Sequence, residues 1–140
     1  MENKVQFSKF STEMQVRPDD IDMNQHVHNS RYFDYVLAAR YIQMEEHYKF
    51  PMEKFIENNY GWVVSKAIVE YKRALGLGDK FIVTTGITEM LYKGCIVEFE
   101  IKNAKTNKVC CDGEFHYTMV NIQTGRSEIV PDWIKEAYSI

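Results

Sequence analysis

The feature that most constrains the fold is a single change of hydrophobic period. From Ser30 to about Tyr48 the chain reads SRYFDYVLAARYIQMEEHY, with neither Gly nor Pro. Tyr32, Tyr35, Val36, Ala39 and Ile42 recur there at helical spacing, and Phe33, Leu37 and Tyr41 widen the stripe well beyond one narrow face. The spacing predicts a long, mostly buried helix, capped by Asn29 or Ser30 and stopped by Pro51. The following FPMEKFIENNYG reads as a loop with one short helical turn.

Beyond it the period becomes two. Trp62 to Tyr71 is rich in Val and Ile, and Lys80 to Glu89 alternates Phe81, Val83, Thr85 and Ile87 with their neighbours. Cys95, Val97, Phe99 and Ile101 alternate with Glu98, Glu100 and Lys102. After a turn at AKTN, a long strand is predicted from Lys108 to about Asn121, with Val109, Cys111, Phe115, Tyr117 and Met119 on one face and Gly113 as a bulge. Weaker signals predict a strand at Phe10 to Val16 and a short helix at Pro131 to Tyr138. Strand, helix, then four strands on short connections is an α+β order. A helix apolar over so wide an arc must be covered on more than one side, so the sheet is expected to curve around it.

Composition serves mainly to exclude. With 140 residues and 45% hydrophobic content, the chain is expected to form one domain over residues 1–140. A net charge of -3 with no Lys/Arg run argues against nucleic acid. The start MENKVQFSKF lacks the apolar core of a signal peptide, and no window approaches the roughly 18 apolar residues of a membrane span. The expectation is a cytoplasmic protein without membrane contact. Cys95, Cys110 and Cys111 read as small buried or edge residues, the adjacent pair pointing to opposite faces.

Chemistry concentrates in RPDDIDMNQHVHN, residues 17–29, immediately before the helix. Uncapped N–H groups at a helix start can stabilise an oxyanion without a metal. Read singly, Asp22 is more often a turn or cap residue than a catalytic one, and Asn24 and His26 satisfy loop backbone as readily as they serve substrate. Asp19 and Asp20 read as solvated or turn-forming, with Asp20 fixing the loop, and His28 as structural or exposed. A calcium loop beginning at Asp20 fails, because Gln25 and Arg31 stand where Gly and Glu are required. Asp22, His26 and His28 lack a further ligand for zinc, so neither metal nor cofactor is expected. No G-x-S-x-G elbow occurs, and Ser65 reads as packing in a row with Val63, Ala67 and Val69. Glu70 reads as a solvated edge, His116 as a cross-strand surface partner beside Glu114, and Tyr32, Tyr35 and Tyr41 as core.

The pattern D-x-D-x-N-x-H-V-x-N-x-x-Y, from Asp20 to Tyr32, resembles the hotdog-fold thioesterases, nearest the acyl-ACP thioesterases and the 4-hydroxybenzoyl-CoA thioesterase group. EYKRALGLGDKF, Glu70 to Phe81, is similar to the strand, Leu-Gly-Asp turn and strand that follow the helix in that family. The resemblance implies a hotdog fold, a curved antiparallel sheet of about five strands wrapped around one central helix. It implies an acyl-CoA thioesterase, with an acyl-ACP thioesterase or a non-catalytic acyl-thioester-binding module as alternatives. It puts a general base or nucleophile at Asp22, assisting groups at Asn24 and His26, and the carbonyl-polarising amide near Asn29. Apart from the resemblance, the cations Lys72 and Arg73 are candidates for the CoA phosphates, and Tyr32 is a candidate substrate contact because core and acyl pocket can coincide in a curved sheet. Plant acyl-ACP relatives carry two units per chain and an acidic or thiol residue where this sequence has Ala74 and Leu75. This chain is therefore expected to pair as a homodimer or dimer of dimers.

Overall fold

The computed structural model describes residues 7–48 and 50–139, so part of the segment read above against a signal peptide lies outside the described residues. In chain order the elements are β1 (Lys9–Gln15), a single helical turn at Pro18–Asp20, α1 (Asn29–Glu46), α2 (Met52–Glu57), β2 (Tyr60–Tyr71), β3 (Lys80–Leu91), β4 (Gly94–Asn103), β5 (Val109–Asn121) and α3 (Asp132–Ala137). The five strands form one antiparallel sheet in the order β1-β3-β4-β5-β2. The sheet curves around α1, which is the hotdog architecture.

Alternation along the strands sorts the sheet's two faces. Phe81, Val83 and Thr85 on β3, Val97, Phe99 and Ile101 on β4, and Cys111, Phe115 and Met119 on β5 are buried on the concave side. Tyr32, Tyr35, Val36 and Ala39 on α1 pack into this face around Phe81 and Phe115. Further along, Met44 joins Phe55 of α2 and Ile134 of α3 in a second apolar cluster that closes the far end.

Local physics adjusts three sequence expectations. The first residue of α1 is Asn29, so neither Asn29 nor Ser30 is its cap; His28 is, without a side-chain cap. The His28 N–H donates to the Asp20 carbonyl at 3.0 Å, which holds residue 28 extended and releases the chain into the helix one step earlier. At the other end α1 stops at Glu46, short of Tyr48 and of Pro51, because the Gln43 carbonyl accepts from both His47 and Tyr48 and ends the regular ladder. Pro51 caps α2 instead.

The expected bulge at Gly113 is absent, since pairing runs unbroken there against both Val69 and Phe99. Gly is needed for a different reason: a Cβ at residue 113 would lie 1.9 Å from the Ile68 carbonyl oxygen. The irregularities fall at Val64/Lys66, Ile87/Glu89 and Ile101/Lys102. The last leaves Cys110 without an opposite residue, and its carbonyl accepts from both Lys72 and Arg73. That irregularity is how two adjacent cysteines are both buried, where simple alternation would separate them. Ser65 occupies the β2 irregularity, exposed and donating to the His116 carbonyl at 3.0 Å, so it is not part of a packed row. His116 meets Glu114 at 3.1 Å along β5, not across strands.

Replacing Gly113 with Ala should force β2 and β5 apart and lower unfolding stability by about 1–3 kcal/mol, the usual range for inserting atoms into a packed site. Denaturant melting of Gly113→Ala against the parent measures this, and an unchanged midpoint would contradict the close approach.

Candidate active site

The loop from Arg17 to His28 is pinned from beneath. Asp20 is only 5% exposed, and its carboxylate accepts from the Tyr35 hydroxyl at 2.7 Å and the Arg17 N–H at 3.1 Å, with the Arg31 Nε at 3.6 Å. Asp20 thus fixes the loop, while Asp19 pairs with Arg17 in solvent. The Val27 N–H donates to the Leu75 carbonyl at 2.9 Å, and the Leu75 N–H to the Tyr32 hydroxyl at 3.0 Å, so the loop is stitched to the turn after β2.

Above this base the chain folds back at Met23 to Gln25, with Gln25 at φ 61°. The Asp22 N–H donates to the His26 carbonyl at 2.8 Å, while Asp22 Oδ1 accepts from the Asn24 N–H at 2.9 Å and the His26 N–H at 3.2 Å. Among the described residues no donor reaches Oδ2. Desolvation acts to raise the Asp22 carboxyl, but the N–H groups of His26 and Asn24 and the nearby His28 and His26 imidazoles outweigh it. The net shift is downward, so Asp22 is ionised at neutral pH with one oxygen held and one open.

Asp22, His26, Asn29, Tyr32, Lys72 and Arg73 line one open cleft of about 270 Å³, together with Val27, Tyr71 and Ala74. Of the sequence candidates Asn24 alone is not in its lining; it sits exposed at the turn and contributes its backbone N–H to Asp22. Tyr71 is an addition, its hydroxyl donating to the Asn29 carbonyl at 3.1 Å. The EYKR stretch contained it, but nothing in strand periodicity distinguishes a rim tyrosine from an edge one. Lys72 is ion-paired to Asp112 at 2.8 Å, and that hydrogen bond raises its pKa. The Arg73 guanidinium donates to the Val109 carbonyl at 3.3 Å and to no other described residue.

A second, apolar cavity of about 500 Å³ runs along α1. Phe33, the residue after Tyr32 of the cleft, begins its helical wall, and Leu37, Arg40, Tyr41 and Met44 continue it. Trp62, Val64, Val97 and Tyr117 of the sheet face them. The wide apolar arc of α1 is therefore only half consumed by the sheet. Tyr41, expected in the core, is 43% exposed on this wall and donates to Glu53 of α2. Tyr32 and Tyr35 are buried as expected.

Among the described residues no group of three His, Cys, Asp or Glu side chains is arranged to hold a metal ion. No described helix is long and apolar enough to cross a membrane.

Comparison with known proteins gives concordant findings. The model of the thioesterase-like superfamily matches residues 16–138. The long-chain acyl-CoA thioesterase FadM of Escherichia coli K12 is 23% identical over 125 residues, covering 89% of this chain and 93% of that one. A DHNA-CoA thioesterase from Staphylococcus aureus superposes with a TM-score of 0.85 at 21% identity, covering 94% of this chain and 89% of the other. A further Staphylococcus aureus protein, solved in complex with CoA, gives 0.82 at 20% identity over 97% of this chain and 85% of its own. At these identities the structural likenesses speak to fold alone.

The hydrogen bonds around Asp22 can be tested directly. Carboxyl chemical shifts followed by NMR should titrate Asp22 below its ordinary 3.8. A folded-state pKa below the unfolded one means that Asp22 contributes stability at neutral pH, lost as pH falls through its folded value. A titration at or above 3.8 would contradict this geometry.

Proposed function

Since the chain belongs to the thioesterase-like superfamily and is a thioester hydrolase, we propose that its substrate is an acyl thioester of coenzyme A, cleaved to the free acid and CoA by a single domain spanning residues 1–140. The observation that carries this reading is a juxtaposition: an ionised carboxylate with one open oxygen shares a cleft with the start of α1, and an apolar cavity begins one residue further along the helix.

A thioester is already activated, so hydrolysis needs a water, a proton acceptor and a donor for the carbonyl oxygen. Oδ2 of Asp22 takes a proton from water as the water oxygen adds to the carbonyl carbon. The C–S bond then breaks and the departing sulfur takes up a proton. Direct attack by Asp22 on the carbon, with water cleaving the resulting anhydride, uses the same position. Because no side chain caps α1, the amides at Asn29 and Ser30 are available to the oxyanion, with the helix dipole behind them. Asn24 and His26 support Asp22, and Asn29 and Tyr32 border the carbonyl. Arg73, and Lys72 to the extent Asp112 leaves it free, suits the CoA phosphates.

The carrier is inferred from the CoA named for the relatives, the long-chain acyl-CoA thioesterase and the CoA-bound Staphylococcus protein. Thiol release from matched acyl-CoA and acyl-ACP panels tests it, and a clear preference for ACP would transfer the reading to that carrier. We place the enzyme in the cytoplasm, acting in lipid metabolism.

Assembly follows from the sheet edge. β2 is an edge strand whose Val63, Ile68 and Tyr71 remain exposed, and it leads straight into the cleft residues Lys72 and Arg73. A long edge with apolar side chains invites pairing with another copy, and a closed twofold pairing buries the same patch twice. Sedimentation at micromolar concentration should give a dimer or dimer of dimers, and a stable, active monomer would refute the arrangement.

Substituting Asn for Asp22 keeps the shape and removes both the base and the nucleophile. Turnover should fall at least about a hundredfold while the fold persists. Asn24→Ala and His26→Ala should lose less, since neither supplies the carboxylate. Near parental turnover in Asp22→Asn would overturn the assignment, and a far larger loss in His26→Ala would hand the base role to the imidazole.

A further inference from the structure

The apolar cavity along α1 contains a charge that neither the fold nor the hydrolysis explains. We propose that Arg40 selects acyl groups bearing a carboxylate at their distal end, making the preferred substrates CoA monothioesters of dicarboxylic acids. This rests on the reading that the cavity receives the acyl chain, and it narrows that reading to one substrate class.

Arg40 is 8% exposed, yet it forms part of the cavity wall. Its Nη1 donates to the Tyr48 hydroxyl at 3.2 Å and to Thr85 Oγ1 at 3.1 Å, and its Cζ lies 5.0 Å from the centroid of the Tyr48 ring. The Thr85 hydroxyl in turn donates to the Gln43 Oε1, and the Gln43 Nε2 donates to Thr12 Oγ1 at 3.0 Å and the Val83 carbonyl at 3.3 Å. This chain of neutral groups anchors one edge of the guanidinium and fixes its plane.

The other edge has no hydrogen-bond partner among the described residues. Neither Nη2 nor Nε of Arg40 donates to any described residue, and no described side-chain nitrogen is both fully buried and unsatisfied. Those donors therefore open on the cavity. No carboxylate of the described residues pairs with Arg40. Besides Tyr48, the titratable groups that feel its charge are Cys95 and Tyr117, which burial pushes up to about 12, and Tyr138, which burial also raises, so these three are neutral at pH 7. A buried cation without a counter-ion is costly unless something arrives to pair with it. A guanidinium with one edge fixed and two donors presented side by side matches a carboxylate bidentately.

Geometry sets the reach. Arg40 follows Asn29 by eleven residues of helix, roughly 16 Å at the α-helical rise, so the ionic end of the acyl group belongs well away from the thioester. A methyl-terminated chain of that length would cover the two donors and give them nothing in return.

The test compares acyl-CoA esters matched in carbon number, hexanoyl with adipoyl, decanoyl with sebacoyl and tetradecanoyl with tetradecanedioyl, by kcat/KM, together with binding of their non-hydrolysable thioether analogues. At the length that reaches Arg40 the parent protein should favour the carboxylate-ended ester by about tenfold or more, the scale of a charge-assisted hydrogen bond. Arg40→Met should reverse that preference while still cleaving methyl-ended esters, and Arg40→Lys should retain part of it. Equal or opposite selectivity in the parent protein overturns the proposal whether or not the variants fold. A preference that persists in folded Arg40→Met overturns the role of Arg40. Cleavage of every ester without selectivity leaves the thioesterase reading standing and removes this one. Binding that favours the carboxylate end, without cleavage of any ester, does the reverse.

Discussion

A carboxylate taken out of water must be met by donors or opposite charge, and at Asp20 two hydrogen-bond donors and one cation converge from separate parts of the chain. The Tyr35 hydroxyl comes from inside α1, the Arg17 N–H from the loop's own start, and the Arg31 guanidinium from the first turn of the helix. Removing a partner from such a group leaves a buried charge short of compensation, which is far less favourable than never having buried it. The loop therefore has one position relative to α1. Everything above it inherits that position: the Asp20 carbonyl holds His28, His28 sets where α1 begins, and the turn around Asp22 stands over the helix start.

The same helix does two jobs along its length because its apolar arc is wider than the sheet can cover. One side, Tyr35, Val36 and Ala39, fills the concave face. The other, Phe33, Leu37, Tyr41 and Met44, walls the cavity. Placing the reactive end of a ligand at the helix start and its apolar tail along the helix side requires no further element. The polar chain from Arg40 through Thr85 to Gln43 crosses between the two, satisfied on one side and open on the other.

Period and spacing made the architecture legible: the long helix, the four later strands, the short terminal helix and the α+β order all follow from them, the wide apolar arc of the helix called for a curved sheet, and the resemblance identified that sheet as a hotdog. The cleft was legible because its residues are contiguous in two short stretches, so local sequence already brings them together. What escaped were properties fixed by partners distant in the chain. Arg40 and Gln43 look like the polar side of a surface helix, and only the position of Thr85 and Tyr48 makes them buried. Tyr41 looks like core, yet its neighbours leave a cavity beside it. Lys72 looks like a free cation until its ion pair with Asp112 is found. A one-residue irregularity at Cys110 changes which cysteines are buried, and strand alternation carries no signal for it.

The central claim is that the thioester lies at the start of α1 with its acyl chain along the helix. A crystal structure with a non-hydrolysable thioether analogue of an acyl-CoA tests this most directly. The account predicts the carbonyl oxygen within hydrogen-bonding reach of the Asn29 or Ser30 amide, Asp22 Oδ2 facing the carbonyl carbon, and the acyl chain passing Phe33 and Leu37. An acyl chain lodged elsewhere, such as the polar depression between Lys9, Glu98 and Glu114 on the sheet, or a carbonyl remote from both Asp22 and the helix start, would contradict it.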